Sequence, residues 1–319
     1  FSQAIVVAII PMLLFIDIKT GLIIGILAFL RASFGSLFPP AINAFLPEIF
    51  PQDKLVKINS LIATSGQFAY FTGPVIAGIL LKTMSIETLF MWDALSFLLA
   101  AIVLMTIHYP DKLEKPVNSS RLQELRAGFT YLKSNSSIRL LIMLTIMNNV
   151  FIMGPAIVGI PIMIKYHLQG SVSDFAFVEA GMALGMLMGT FFMYRFSKQF
   201  NNGLLLLLGM LWDGLTYALF FWVQSIPMAL FIIIFHGMGI PIITVSRTTI
   251  IQKYAPNKYH GRLFAMVHLA VSGMTAISTA LVGMIAEVIS IHIVFLLFGV
   301  GGTLTGLVGF FNRKIQKFE

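Results

Sequence analysis

The chain has 319 residues, 58% of them hydrophobic and 11% charged, with a mean hydropathy of +0.91 and a formal net charge of +8. Soluble domains carry about 25% charged residues, so a water-soluble core is excluded and the chain reads as a polytopic membrane protein. Cysteine is absent, which excludes disulfides and thiolate metal sites.

A helix of about 20 apolar residues crosses the hydrocarbon layer, and polar or charged clusters mark the breaks between spans. The pattern predicts ten spans, at residues 1–16, 20–44, 55–81, 87–107, 139–164, 175–195, 203–223, 227–251, 262–286 and 290–311. The first is short, and its apolar run begins at Phe1 with no basic segment ahead of it. That is not the pattern of a signal peptide, and it reads as a chain whose beginning is missing. The one long polar segment lies between 107 and 139. In its second half Leu122, Leu125, Phe129 and Leu132 recur at three- and four-residue steps, which predicts an amphipathic helix at the membrane surface.

With Phe1 placed on the cytoplasmic side, the outer turns carry only Lys19, Lys82 and Lys165, and Arg31 and Arg247 fall within spans. The remaining sixteen of the 21 lysines and arginines then lie in inner loops or the C-terminal tail, and this bias sets the orientation. The positive charge therefore faces anionic lipid headgroups. The basic residues form no contiguous patch, so nothing points to nucleic acid.

The stretch from Arg31 to Gly78 holds the features of most interest. Arg31 stands eleven residues past Thr20, about 16 Å from the outer face, at a depth from which it cannot snorkel. A mid-bilayer charge costs about 2.5–3.5 kcal/mol on insertion scales and marks a pathway or a partner; a structural salt bridge is the other reading. Gly73, Ala77 and Gly78 remove bulk from one helix face and let a neighbour approach, and Pro74 bends the helix between them. Gly181, Gly185 and Gly189, and the pair Gly302 and Gly306, read as ordinary tight packing.

Other polar residues are graded by depth. Arg247, five residues before Gln252 and about 8 Å deep, reads as a headgroup anchor. Asp93 and Glu179 sit near the outer face, in a hydrated vestibule or at the interface. Asp213 lies midway along its span, and Asn148 and Asn149 lie on the first helix after the polar segment.

A repeat appears at an offset of 205 residues: Pro51-Gln52-Asp53-Lys54-Leu55-Val56-Lys57 aligns with Pro256-Asn257-Lys258-Tyr259-His260-Gly261-Arg262, with Gly78 and Gly283 at matching depth. Two parallel halves of six helices each are the architecture of many secondary transporters, so ten spans imply two more before Phe1.

No catalytic constellation is visible. The six histidines show no metal-ligand spacing, His236 and His268 within spans read as packing residues, and no phosphate-binding Gly-rich loop is present. The many Phe and Met residues suit both an adaptable cavity and ordinary lipid contact.

These residues resemble the major facilitator superfamily, and within it the macrolide-efflux-like branch of bacterial exporters. The likeness rests on Arg31-x3-Gly35 with Pro39 to Pro51, on Leu125-Arg126-Ala127-Gly128-Phe129-Thr130-Tyr131-Leu132, and on Thr249-Ile250-Ile251-Gln252 through Gly261-Arg262. It covers nearly the whole chain, from the family's third helix to its twelfth. The resemblance implies that Arg31 and Gly35 belong to a fourth-helix motif linked to proton coupling. It implies that Gly73, Pro74, Ala77 and Gly78 form the fifth-helix antiporter motif, with Ala77 where glycine is usual. It places Asn148 and Asn149 on a cavity-lining helix as candidate substrate-binding groups, and Asp213 on a peripheral helix as a structural pairing residue, with a proton role as the alternative. Since Asp93 reads as too near the outer face, the coupling carboxylate is expected outside residues 1–319.

The expected fold is an all-α membrane bundle of two pseudo-repeats with ten of twelve helices: residues 1–107 from the first half, 108–138 as a cytoplasmic linker, and 139–319 as the second half and tail. The expected function is export of an apolar or amphipathic, drug- or macrolide-like small molecule in exchange for protons, by alternating access. A lipid or siderophore exporter of the same fold, or a non-transporting membrane sensor, are the alternatives. No enzymatic activity, cofactor or metal is expected beyond the proton gradient. The expected setting is a monomer in the bacterial inner membrane, in contact with lipids, both ends cytoplasmic.

Overall fold

The computed structural model describes residues 1–15, 21–80, 83–106, 121–196, 199–316 and 318. It is built of helices, with no strand among the described residues. In chain order they are α1 (Ser2–Phe15), α2 (Gly21–Gly35), α3 (Phe38–Ile49), α4 (Leu55–Leu80), α5 (Ile86–Met105), α6 (Arg121–Ser134), α7 (Ser136–Gly154), α8 (Ile160–Ile162), α9 (Val172–Phe196), α10 (Asn202–Leu219), α11 (Ile226–Tyr254), α12 (Asn257–Ala286), α13 (Ile291–Phe310) and α14 (Arg313–Gln316). Among the described residues seven helical stretches are long and apolar enough to cross a membrane, and α1 is a shorter apolar helix.

Local chemistry sets the ends. Ser85, Asn135 and Asn201 precede α5, α7 and α10, and each side-chain oxygen accepts a hydrogen bond from an otherwise unpaired amide in the first turn. The second expected span divides at Ser36 and Leu37 into α2 and α3, and the restart falls at Pro39-Pro40, where missing amide hydrogens cost nothing in a first turn. After Pro155 the helix loosens into π-helical turns, Pro155–Gly159 and Met163–His167, on either side of α8.

The chain forms two compact units, Phe1–Ile42 with Thr72–Glu124, and Asn43–Phe71 with Leu125–Glu319. In the first, α1 packs on α5 and α2. In the second, α9 packs on α11, α10 on α13 and α11, and α12 on α7.

Lipid tails are as apolar as leucine, so in a bilayer close packing rather than water exclusion must hold such helices together. The second unit achieves it with glycine. A Cβ on Gly185 would collide with the main chain of Ile234, and one on Gly214 with Thr303 N and, at 2.6 Å, with Gly302 C. The packing expected of the Gly181 and Gly302 series is therefore observed. Aromatic rings fill the space beside the α10–α13 contact, with Phe220 stacked on Phe295 at 4.8 Å.

One side chain enters a neighbour's helical ladder. Ser278 Oγ on α12 accepts from Gly154 N at 2.7 Å and donates to Val150 O at 2.5 Å, bridging an amide and a carbonyl one turn apart in α7. This lies next to the change of helical pitch at Pro155.

Helix α6 meets its neighbours through positions between its apolar residues as well as through Leu132. Gly128 is buried with its Cα side against Arg262, Tyr131 stacks on Tyr259 at 4.3 Å, and Leu132 packs on the core, while Phe129 is exposed. Gly128 has no side chain to register on a hydrophobic pattern, yet it permits the closest approach. The side chains of Leu122 and Leu125 lie outside the described residues.

Candidate functional site

The second unit encloses a cavity of about 590 Å³ between α7, α9, α10, α11 and α12. Its wall is largely apolar, with Ile152, Met153, Phe175, Met182, Met186 and Ile240 among the lining residues. Asn148, Asn149, Glu179, Asp213, Tyr217, His236 and Arg247 also line it. Binding sites for small molecules have this character, an apolar wall with a few placed polar groups. A groove on the first unit, about 630 Å³ and lined by Ala4, Ile5, Trp92, Leu95 and neighbours, carries no charged side chain among its described residues and offers only the Thr88 hydroxyl and the Trp92 indole N–H.

Three polar residues of the cavity wall, Asn148, Asp213 and His236, are joined with Thr216 in a short network. Asn148 Nδ2 donates to Asp213 Oδ2 at 3.0 Å. Asp213 Oδ1 lies 3.4 Å from His236 Nδ1, and His236 Nδ1 lies 2.9 Å from Thr216 Oγ1. The His236 ring rests on Tyr217 at 4.1 Å between centroids. Asp213 is 3% exposed and His236 1%. Asp213, Thr216 and Tyr217 follow the three- and four-residue spacing that puts side chains on one helix face. Asn149 instead turns back on α7, donating to Thr145 O at 2.9 Å.

Four polar atoms of this wall are buried without a hydrogen-bond partner: Asp213 Oδ1, Asn148 Oδ1, Tyr217 Oη and Arg247 Nε. Each such atom costs about 1–3 kcal/mol. Four around one cavity call for an explanation beyond the packing of the fold.

A second polar cluster sits at the C-terminal end of α11. Asn59 Nδ2 donates to Gln252 Oε1 at 2.7 Å and to Thr249 Oγ1 at 3.2 Å, and Gln252 Nε2 donates to Asn43 O at 2.8 Å. Asn59, Thr249 and Gln252 are all buried. This clasp joins α4 to α11 just inside the two segments related by the 205-residue offset. Thr244 borders both the cavity and the pocket of about 140 Å³ beside the clasp.

The structure revises several expectations. Asn148 and Asn149 stand on the cavity wall. Asp213, expected at the periphery, faces the cavity too, because α10 turns its Asp213–Tyr217 face inward while Gly214 packs against α13. Arg247, read as a headgroup anchor, also lines the cavity, with its Nε buried. His236 is a hydrogen-bonded partner of this network, where its sequence context suggested packing alone. Arg31 Nη2 lies 3.9 Å from Asp93 Oδ2, so an acid excluded by its depth in sequence does reach it. A Cβ on Gly35 would stand 2.9 Å from Gln3 Nε2. Gly73 has nothing within 4 Å of a Cβ position, so the close approach expected there is not made at that residue. The side chains of Pro74 and Ala77, and what surrounds Gly78, lie outside the described residues. No cluster of three or more His, Asp or Glu suited to a metal ion occurs among the described residues.

Comparison with known proteins agrees with this architecture. The sequence model of a family described as transmembrane secretion effector matches residues 2–319. Macrolide efflux protein A of Streptococcus pyogenes is 22% identical over 279 residues, covering 86% of this chain and 68% of that protein. Among solved structures, the E. coli fucose:proton symporter FucP superposes with a TM-score of 0.73 at 16% identity, over 97% of this chain and 82% of that one. The human organic anion transporter MFSD10 gives 0.75 at 13% identity, over 96% and 75%. At these identities the structural likeness shows the fold alone.

Proposed function

We propose, for a chain that belongs to the transmembrane secretion effector family of the major facilitator superfamily, the export of an apolar or amphipathic, drug-like small molecule in exchange for protons. The single observation that carries this reading is the cavity of the second unit, large, apolar-walled and furnished with a few buried polar groups. The apolar wall accepts the bulk of such a molecule, and Asn148, Tyr217 and Arg247 offer groups to orient it. The name of the S. pyogenes relative supports a macrolide-like substrate class.

In this reading the protein is a bacterial plasma-membrane antiporter, with ten of twelve helices in this chain and both of its ends in the cytoplasm. The helices before the 108–138 linker rock against those after it in alternating access. Arg31, Gly35 and Asp93 form part of the coupling machinery, and the segment from Gly73 to Gly78 acts as the joint. The clasp of Asn59 with Gln252 and Thr249 holds one end of the pathway shut, and it is remade and broken once per cycle. The energy source is the proton gradient, with no cofactor. The protein acts as a monomer surrounded by lipid.

The test is transport in everted membrane vesicles that carry a pH gradient, over a panel of macrolides, lipophilic dyes and lipids. Substrate-dependent dissipation of the gradient with uptake of a drug-like compound is the expected result. Uptake of lipids alone would replace the substrate class, and binding without any flux would make the protein a sensor.

A further inference from the structure

We propose that Asp213 and His236 form a proton-binding site on the cavity wall, holding one exchangeable proton that is loaded and released during transport. The proposal rests on the proton-exchange reading above and assigns that reading a residue within this chain. It replaces the expectation that the coupling carboxylate lies outside residues 1–319.

The geometry fixes where hydrogens already are. Thr216 Oγ1 lies 2.8 Å from Trp212 O and 3.0 Å from Asp213 O, so its hydroxyl proton is committed to the main chain. The 2.9 Å contact from Thr216 Oγ1 to His236 Nδ1 is then donated by the imidazole, which puts a hydrogen on Nδ1. That hydrogen serves Thr216, and Asp213 Oδ1, 3.4 Å away, is left with no hydrogen-bond donor. Asn148 occupies the other carboxylate oxygen. The carboxyl group therefore has one satisfied oxygen and one open oxygen, buried, at a cavity wall.

A carboxylate and a neutral imidazole side by side have one vacant proton position between them, at Asp213 Oδ1 or His236 Nε2. On loading, an O–H bond forms at Asp213 Oδ1, or an N–H bond at His236 Nε2 with the pair becoming an ion pair; either way the site gains one proton and becomes neutral. On release the same bond breaks and the proton returns to the cavity. The two groups titrate as a unit. The other titratable and charged groups facing them are Tyr217 on α10, Glu179 on α9 and Arg247 on α11, while α7 contributes the uncharged Asn148. Arg247 and Glu179 bring opposite charges to the same wall, so a charged substrate entering the cavity acts on the pair through the same wall.

The experiment titrates the protein in lipid vesicles by infrared difference spectroscopy, with protons as the only ligand. The expected result is a protonated-carboxyl band that is lost in Asp213→Asn and whose midpoint moves in His236→Gln, a variant that retains the carboxyl. A band unchanged in Asp213→Asn, or a midpoint unmoved in His236→Gln, overturns the site. In parallel, flux of a lipophilic dye is measured with and without a pH gradient. Loss of gradient stimulation in Asp213→Asn supports the coupling role, and full stimulation in that variant overturns it while leaving proton exchange by the parent intact. A parent protein with the band but no gradient-driven flux overturns the exchange reading and leaves the binding site standing.

Discussion

Nη2 of Arg31 on α2 lies 3.9 Å from Oδ2 of Asp93 on α5, and the same guanidinium covers the ring of Phe97 at 5.4 Å. Both charged side chains are close to half exposed, at 46% and 41%. Where that surface faces a hydrated pathway, an ion pair contributes about 0–1 kcal/mol and its value to the fold is small. Neutralising it should therefore reveal function rather than instability. Arg31→Ala and Asp93→Asn should each leave expression within a factor of about two and cut proton-coupled export by tenfold or more, on the order of 1.4 kcal/mol. Arg31→Lys keeps the charge, loses the planar fork, and should fall between. Dye efflux against a pH gradient reads the outcome, and undiminished export in Arg31→Ala would return the pair to a structural role.

The chain has no cysteine, so introduced pairs can be read without background. Asn59 and Thr249 touch at 3.2 Å through their side chains. The double variant Asn59→Cys with Thr249→Cys should cross-link under mild oxidation, visible as a gel shift after cleavage between α4 and α11. Cross-linking should halt export, and reductant should restore it. Export that continues through the cross-link would show that the clasp does not open in the cycle.

Glycine substitutions should separate packing from movement. Gly185→Val must displace the main chain of α11 and should cost about 1–3 kcal/mol, seen as a lower melting temperature in detergent. Gly73→Ala meets open space and should melt as the parent does or higher, since alanine favours helix by about 0.5–1 kcal/mol. If another state of the cycle brings a neighbour against Gly73, the bulkier Gly73→Leu should slow export without lowering that melting temperature.

Ser278→Ala removes the hydroxyl that bridges Gly154 N and Val150 O, leaving both buried groups short of a partner. A loss of about 1–3 kcal/mol is expected, again as a lower melting temperature. A neutral result would mean that α7 closes its own ladder once the hydroxyl is gone.

Topology can be read with the same cysteine-free background. In intact cells an impermeant maleimide should label Ser171→Cys and should reach Asp53→Cys only after permeabilisation. Labelling in the opposite sense would invert the orientation drawn from the lysines and arginines.

Hydropathy and turn chemistry placed most helices of the second unit within a few residues, while the span expected at 139–164 leaves the α-helix at Pro155 and α12 begins at Asn257, ahead of the expected 262. The span expected at 227–251 is α11, Ile226–Tyr254, and that expected at 290–311 is α13, Ile291–Phe310. Lipid demands that a spanning segment satisfy its own main chain, so each helix is written locally in its apolar run and its polar ends. Which face of each helix meets which neighbour is not written that way. In a bilayer the apolar side chains of the lipid face and of the core are alike, and the hydrophobic pattern cannot tell them apart. The resemblance places Asp213 on a peripheral helix and depth alone places Arg247 at the headgroups, and neither reading says which residues a helix turns toward the cavity. Close glycine contacts turn α10 so that Asp213 meets His236 from α11 and Asn148 from α7, across 23 and 65 residues of chain. Arg31 on α2 and Asp93 on α5 are likewise brought together from separate parts of the chain. Only the tertiary packing of whole helices brings those groups together, because the hydrogen bonds and ion pair that join them come from no shared stretch of sequence.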